Sequence, residues 1–216
     1  MEQQMNKYQS SRRSFICLGA VIAAGNALPI LASEPTLPPT AKQAEGPFFP
    51  KHTQIDKDAD MTKVADGAGH ALGEPLLVSG RIFDTNGNRV ANAIIDIWQS
   101  DSNGRYLHEY APDSSPLDEN FQYWAKIKSG ADGSYRVKTI KPNKYTAMGD
   151  WVRPPHIHFR VAKKGMRELT TQMYFANEAL NELDKLYLEV PKKARASITV
   201  EVNDGKSNFD IVLALV

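Results

Sequence analysis

Two histidines separated by a single residue, His156 and His158, are the part of this sequence best suited to chemistry. Along an extended strand, successive side chains point to opposite faces, so residues two apart project from the same face. Two imidazoles at this spacing can bind one metal ion together. Pro154 and Pro155 precede them and disfavour a helix, because proline lacks an amide proton and restricts the residue before it. The segment therefore predicts a strand with a metal-binding face, although two histidines on an ordinary strand would give the same pattern.

The composition describes a domain-sized chain with little net charge. The 216 residues carry a formal net charge of +1, and 42% of them are hydrophobic, which is enough to build a core. A nearly neutral chain offers no electrostatic reason to bind nucleic acid or an acidic membrane surface. We therefore expect neither as a partner.

Residues 1–33 have the layout of an export signal. Arg12 and Arg13 directly precede an apolar run from Phe15 to Leu31, as in signals of the twin-arginine type. The run is short and interrupted by glycine, asparagine and proline, so we expect no stable membrane span after signal cleavage. We expect export to the periplasm through the twin-arginine pathway; a membrane anchor that happens to follow two arginines is the alternative.

The only cysteine, Cys17, lies inside this predicted signal. Cleavage near Ala32 or Ser33 would leave a mature chain without a thiol. Disulfides and cysteine-bound zinc or iron–sulfur clusters would then be excluded, and any metal would depend on His, Tyr, Asp or Glu.

The rest of the chain is typical of an arm followed by short strands. Residues 34–75 are rich in proline, glycine and charged residues and predict an extended N-terminal arm. The stretch from Leu76 to Asp84, the turn Asn86-Gly87-Asn88 and the stretch from Ala93 to Trp98 predict a β-hairpin.

Further strands and one short helix are predicted beyond this hairpin. The helix runs from Glu178 to about Leu186, with Asn177 as its N-cap. Many short strands with regular turns favour an all-β sandwich or a Greek-key barrel over residues 76–216. The predicted strands are Phe121–Lys128, Ser134–Ile140, His156–Ala162, Glu168–Phe175, Ala196–Val202 and Phe209–Val216.

Five segments of the chain match one known pattern in their order and spacing. They are Glu45–Phe48, Asp96–Tyr106, Asp132–Pro142, Tyr145 with Trp151–Phe159, and Thr171–Phe175. Together they resemble the intradiol ring-cleavage dioxygenases, and most closely the branch of the protocatechuate 3,4-dioxygenase β subunit. The resemblance implies a prealbumin-like β-sandwich with long connecting loops, an extended N-terminal arm and a catalytic domain over residues 76–216.

The resemblance also implies a metal site with one non-haem iron(III) ion per chain, bound by Tyr106, Tyr145, His156 and His158. Phenolate oxygen stabilises this hard ion against reduction, and two neutral imidazoles complete the protein ligands. A phenol titrates near pH 10, and a bound cation lowers its pKa sharply. Two histidines with one carboxylate would instead suit iron(II).

Further catalytic roles follow from the same resemblance. The Arg153 guanidinium would stabilise anionic charge on the bound substrate or on a displaced tyrosinate. Tyr145 would act as an internal base, and Gln172 would hydrogen-bond near the site from a neighbouring strand. A surface salt bridge is the alternative for Arg153, and a polar strand residue without a role is the alternative for Gln172. His108 has the type of a further ligand, but a solvated loop histidine is the simpler interpretation.

The reaction implied is cleavage of a small catecholic ring by dioxygen, between the two hydroxyl-bearing carbons, to give a cis,cis-muconate-type diacid. The short segment before Leu76 favours protocatechuate over catechol, because catechol-specific relatives carry a long helical N-terminal segment. Thr146-Ala147-Met148 departs from the Pro-Trp stretch that is common in the family after the tyrosine corresponding to Tyr145, so a related catechol remains an alternative substrate.

Two other functions and the state of assembly are left open by the sequence. The stretch from Val78 to Ala93 also resembles prealbumin-like accessory modules, which bind without catalysis, and an exported metal-storage or copper-binding protein is a weaker alternative. Residues 34–75 could make contacts in a homo-oligomer or with a related subunit.

Overall fold

The structure is a computed structural model that describes residues 36–51, 54, 56–65, 67–112 and 115–216. The predicted export signal and Cys17 lie outside these residues. The described chain consists mainly of strands and loops, which confirms the predicted all-β class. The strands are β1 (Pro75–Asp84), β2 (Ile94–Trp98), β3 (Trp124–Lys128), β4 (Ser134–Ile140), β5 (Tyr145–Met148), β6 (Trp151–Arg153), β7 (His156–Ala162), β8 (Leu169–Phe175), β9 (Thr199–Val200), β10 (Lys206–Asn208) and β11 (Ile211–Leu213).

The strands form two larger sheets and one small one. In the first sheet, β1 pairs antiparallel with β4 and parallel with β10 and β11. The second sheet has the order β3-β2-β7-β8-β9, with antiparallel pairing except between β8 and β9. β5 and β6 form a separate two-stranded sheet.

The two larger sheets pack face to face around the largest apolar cluster. Alternate residues of each strand point into this core, as expected where one face of a sheet is buried. Burial of these side chains is the main source of stability for such a sandwich. The core includes Val78, Ile82, Val137, Ile95, Ile97, Ile157, Phe159, Met173 and Phe175.

The predicted hairpin between the first two strands is wrong. The turn itself exists, with Gly87 in the left-handed region (φ 81°) and a bridge between Phe83 and Arg89. Beyond it, Asn92 also adopts a positive φ of 55°, and the chain then enters β2 in the other sheet. A turn signal describes only the local reversal of the chain, so it could not tell which sheet the second strand joins.

The predicted helix is replaced by two short helical turns. A 3-10 helix spans Ala179–Leu183 and α1 spans Lys185–Glu189, while a further 3-10 helix covers Lys192–Ser197. The first is capped by the Glu178 side chain and α1 by Asp184, which accepts the Tyr187 amide proton. Asn177, the predicted cap, instead has a φ of 60°. Among the described residues, no helix has the length and apolar character needed to cross a membrane.

The outer face of the second sheet is covered by the arm and the β5–β6 pair. The backbone amide of Gln43 donates to the carbonyl of Thr170 on β8 (2.9 Å). Farther along the arm, the Arg160 guanidinium lies 3.8 Å from the centre of the Phe49 ring and forms an ion pair with Glu45 (3.3 Å). These contacts hold the arm across the sheet, on the side away from the main core.

Candidate active site

His156 and His158 lie on the outer face of β7, beneath the arm. Ile157 and Phe159, which alternate with the two histidines along the strand, point into the core. The alternation predicted from the sequence is thus confirmed. The two Nε2 atoms are 3.1 Å apart, and both rings are buried. Such a separation is short enough for both nitrogens to bind one ion.

The surroundings of the two imidazoles keep them neutral. Burial, reinforced by the positive charge of Arg153, lowers the pKa of both rings well below the usual value of 6.5. His156 Nδ1 lies 2.7 Å from the Pro154 carbonyl, which can only accept, so Nδ1 carries the proton. His156 Nε2 therefore presents a lone pair towards His158, as a metal ligand must.

Strand pairing fixes the orientation of His158 from both sides. Trp98 lies opposite His158 on β2, and Gln172 lies opposite it on β8. The Trp98 indole stacks on the imidazole with ring centres 4.7 Å apart and an interplanar angle of 11°. His158 Nδ1 is buried without a hydrogen-bond partner among the described residues, so the ring is oriented by this stack and by the contact of its Nε2 with His156.

Tyr106 reaches the histidines from the loop that follows β2. The Asp101 carboxylate shapes this loop by accepting the amide protons of Asn103 (2.8 Å) and Arg105 (2.9 Å). Gly104 adopts a φ of 79°, and a Cβ there would lie 2.3 Å from the Lys144 carbonyl oxygen, so only glycine fits. The loop places the Tyr106 hydroxyl 3.4 Å from His156 Nε2.

Tyr145 completes the group from the first residue of β5. Its ring lies 5.2 Å from that of Tyr106 and 5.8 Å from that of His156. From the arm, the Phe48 ring packs against both phenols, with centres 4.7 Å from Tyr106 and 5.8 Å from Tyr145. Burial raises the pKa of both phenols, and the Arg153 guanidinium opposes the rise. Both tyrosines are therefore neutral unless a cation is bound.

The structure thus brings together the predicted ligands, and their chemistry fits a metal ion. Among the described residues, no cluster of three or more His, Cys, Asp or Glu could hold one, so the tyrosines are needed to complete a site. Two imidazole nitrogens and two phenol oxygens meet in a buried space with no carboxylate among them. This donor set fits a hard trivalent cation such as iron(III), whose charge two phenolates would partly neutralise.

Arg153 is buried rather than exposed, so the alternative of a surface salt bridge is wrong. Its side chain is only 4% exposed. Nε donates to Asp184 Oδ1 (2.8 Å), while Nη2 donates to Gln172 Oε1 (2.7 Å) and to the Tyr174 hydroxyl (3.0 Å). Gln172 also donates from Nε2 to the Ala44 carbonyl (2.9 Å). Gln172 therefore links the arm to Arg153 beside the site.

Two residues of this network, Asp184 and Tyr174, were not predicted. Tyr174 lies opposite His156 in the β7–β8 pairing and packs on that imidazole with ring centres 5.8 Å apart. This position follows from register and could have been found by extending the strand alternation from Gln172. Asp184 lies between two helical turns, where an acidic residue is ordinary, so no sequence signal distinguishes it.

The remaining candidate, His108, does not join the group. Its Nδ1 accepts the Tyr110 amide proton (3.2 Å), and its ring lies 5.8 Å from Phe48. Beside it a cavity of about 350 Å³ borders Tyr106, and its other described lining residues include Pro50, Leu107 and Leu117. A cavity of this size holds a small aromatic molecule.

The comparisons with known proteins agree with this geometry. A family model described as Dioxygenase matches residues 44–214. The chain is 39% identical over 169 residues to the protocatechuate 3,4-dioxygenase beta chain of Burkholderia cepacia, covering 72% of this chain and 71% of that one. It is 29% identical over 189 residues to hydroxyquinol 1,2-dioxygenase of Nocardioides simplex, covering 82% of this chain and 61% of that one.

Solved structures give the same fold. The crystal structure of 3-chlorocatechol 1,2-dioxygenase from Rhodococcus opacus 1CP matches with a TM-score of 0.63 and 23% identity, covering 82% of this chain and 73% of that one. At this identity the likeness concerns the fold, and it agrees with the predicted sandwich. The match to the family model covers most of the chain, and the matched residues include all four converging side chains. The chain therefore belongs to the intradiol ring-cleavage dioxygenase family.

Proposed function

We propose that the protein cleaves the ring of protocatechuate or a related catechol with dioxygen, using one iron(III) ion held by Tyr106, Tyr145, His156 and His158. The observation that carries this proposal is the convergence of these four side chains on the covered outer face of the second sheet. Both oxygen atoms of dioxygen would end in the product, a cis,cis-muconate-type diacid. The bound ion would supply Lewis acidity that activates the aromatic diol. A prealbumin-like binding module is not favoured, since it has no need of these four residues.

The protein residues have separable tasks in this reaction. A catecholic diol must lose two phenolic protons to bind as a dianion; the Tyr145 oxygen, a phenolate when the ion is bound, would accept one of them, and a hydroxide from solvent would accept the other. Tyr145 suits this role because it is less buried than Tyr106 and lies on the separate β5–β6 sheet. Tyr106, on its constrained loop, remains in place. Phe48 and the arm exclude water above the phenols.

Arg153 supplies the positive charge that the anionic substrate requires. Its guanidinium is buried beside Tyr145, where charges interact more strongly than in water. The charge favours the dianionic substrate and the developing negative charge on the ring. Gln172 accepts a hydrogen bond from the guanidinium through Oε1 and thus helps to keep this positive charge beside the substrate.

The substrate is proposed as a single-ring catechol with protocatechuate as the first candidate. The relatives named above act on protocatechuate and hydroxyquinol, which share two adjacent hydroxyl groups. The cavity beside Tyr106, about 350 Å³, is large enough to hold one such ring. The exposed segment around Met148, next to Tyr145, differs from the protocatechuate branch, which is why related catechols are kept as candidates.

A visible absorption spectrum of the iron-loaded mature protein tests the proposal. We expect a broad tyrosinate-to-iron(III) band, and a shift of that band when protocatechuate is added without oxygen. A shift with catechol but not with protocatechuate would change the substrate and keep the chemistry. A colourless protein that binds no iron would refute the proposal and favour the binding module.

Export and assembly are part of the same proposal. The arginine pair before the apolar run supports twin-arginine export to the periplasm, and fractionation of cells carrying Arg12→Lys with Arg13→Lys tests it. Retention of the double variant in the cytoplasm is expected; periplasmic accumulation would contradict it.

The assembly of the protein is proposed from its relatives. The relative from Burkholderia cepacia is named as the beta chain of its enzyme, which supports an oligomer or a pair with a related subunit. Light scattering of the purified protein measures its oligomeric state, and a monomer with full activity would show that neither assembly is needed.

A further inference from the structure

The buried carboxylate of Asp184 is the most unusual charge near the site. Its side chain is fully buried, and a carboxylate is held in such a place only when it is well paired. It accepts from Arg153 Nε (2.8 Å) and Nη2 (3.3 Å), so one edge of the guanidinium meets both carboxylate oxygens. This two-point contact fixes the plane as well as the place of the guanidinium.

Neighbouring side chains complete the attachment from other elements. The Tyr174 hydroxyl lies 3.0 Å from Arg153 Nη2 and 3.1 Å from Asp184 Oδ2. It also accepts from Gln43 Nε2 of the arm (3.3 Å). Arg153 is thereby attached to β8, to the α1 segment and indirectly to the arm, although its own strand belongs to the small sheet.

This attachment matters because Arg153 shares its small sheet with a ligand that moves. Tyr145 and Arg153 are direct partners across β5 and β6. In the proposed function, Tyr145 accepts a proton from the substrate, and as a neutral phenol it would no longer be held in place as a ligand. Without a second attachment, Arg153 would follow its strand partner, and its charge would leave the substrate at the moment when it is needed.

We propose that Asp184 is a positioning residue that anchors the Arg153 guanidinium while Tyr145 moves. The inference rests on the proposed function, since it concerns how the site binds a catecholic dianion. It assigns a role in substrate binding to a residue that lies outside the five segments of the family resemblance. The loss of the anchor weakens binding of the dianion without removing any ligand of the ion.

A purely structural role for Asp184 is the competing explanation. Its Oδ2 also caps α1 by accepting the Tyr187 amide proton (3.1 Å). The variant Asp184→Asn retains the volume and an acceptor for this cap but removes the charge that holds Arg153. Glu178→Gln is the matched control: it makes the same charge change at the cap of the preceding helical turn, where Glu178 accepts from the Leu180 amide.

The test measures anaerobic binding of protocatechuate by the shift of the visible band, together with iron content and steady-state kinetics. We expect Asp184→Asn to keep its iron and its resting band but to bind protocatechuate roughly tenfold more weakly, with a matching loss of kcat/KM. Glu178→Gln should remain within about twofold of the unmodified protein. Should Asp184→Asn fail to fold, Tyr174→Phe removes only the shared hydroxyl, and a smaller loss in the same direction is expected.

A double-mutant cycle with Arg153→Met separates positioning from general damage. If Asp184 acts through Arg153, then Asp184→Asn causes no further loss of affinity in the Arg153→Met background. Equal losses in both backgrounds, or unchanged binding in Asp184→Asn, would overturn the inference while leaving the proposed function intact. Absence of a band or of a protocatechuate shift in the unmodified protein would overturn both.

Discussion

Tyr145 and Arg153 lie directly opposite each other across the β5–β6 pair. Cross-strand partners have side chains on the same face, so a candidate iron ligand and the principal positive charge of the site are presented together. The pair forms its own two-stranded sheet, and Met148 at its turn is 77% exposed. His156 and His158, in contrast, belong to the central strand of a five-stranded sheet. The site thus combines two histidines from the centre of a large sheet with a tyrosine and an arginine from a small separate one.

Replacement of each tyrosine by phenylalanine should therefore have different effects. Tyr106→Phe removes the more buried phenol, 3.4 Å from His156 Nε2, and we expect it to lose most of the iron and of the visible band. Tyr145→Phe should keep most of the iron but lose activity by roughly a hundredfold or more, because an internal base is removed. Iron analysis after dialysis and the visible spectrum measure this. Tyr110→Phe, at an exposed position, is the control, and retention of iron and colour by Tyr106→Phe would contradict the ligand set.

The metal-free protein should lose stability in mild acid because of its two neutral histidines. In the unfolded chain the imidazoles titrate near pH 6.5, whereas the pKa of each in the folded protein is well below that value. Below pH 6.5 the unfolded chain binds protons that the folded chain does not. The stabilisation is thus complete above pH 6.5 and decreases as the pH falls, by up to about 1.4 kcal/mol per pH unit for each imidazole.

Denaturant unfolding at several pH values, with chelator present, measures this dependence. His156→Gln and His158→Gln should each reduce the slope below pH 6.5. His70→Gln, at an exposed position, should leave it unchanged. If all three variants kept the pH dependence of the unmodified protein, the acid sensitivity would belong to other groups.

The substitution Gly46→Ala should strain the arm where it crosses the site. Gly46 has a φ of 76°, which residues with a Cβ rarely adopt, and the added Cβ would lie 3.5 Å from His158 Cε1. Since that distance is an ordinary contact, the cost comes from the backbone, and we expect a loss of roughly 1 kcal/mol in the free energy of unfolding. Gly149→Ala, also at positive φ but with open space around its Cβ, is the matched control. A loss of activity beyond the loss of stability would show that the arm shapes the site; equal behaviour of the two variants would argue against it.

Trp98 should affect metal binding through the ring stack on His158. Trp98→Phe retains an aromatic face, whereas Trp98→Leu removes it and leaves the imidazole without its stacking partner. We expect Trp98→Leu to release iron to a chelator several-fold faster, since such a stack contributes about 0.5–1.5 kcal/mol. The rate of colour loss after chelator addition measures this. Equal rates for both variants would show that the stack does not hold the ligand.

Strand positions were predictable wherever one face of the strand is apolar. β4 and β7 have the predicted bounds, because apolar and polar residues alternate along them. The pairing of β1 with β4 and of β2 with β7 was not predictable, since sheet membership depends on contacts between distant segments. The β5–β6 pair was missed, although Gly149 before Asp150 is a turn signal.

For the site, motif order identified the converging side chains, but it could not supply their environment. The burial of Arg153 and its pairing with Asp184 depend on how a helical segment packs against β8. Asp184 is one of four acidic residues between positions 178 and 189, so the fully buried carboxylate had no local signature. Tyr174 shows the opposite case, because strand register alone places it beside His156.

The alternation along β7 makes this strand intolerant of changes in length. A shift of β7 by one residue in its pairing with β2 and β8 would exchange its two faces. Ile157 and Phe159 would then take the places of the imidazoles, and the imidazoles would enter the sandwich interior. Folding and metal binding would be lost in the same event. Insertions and deletions are therefore better tolerated in the loops that join the strands than within β7.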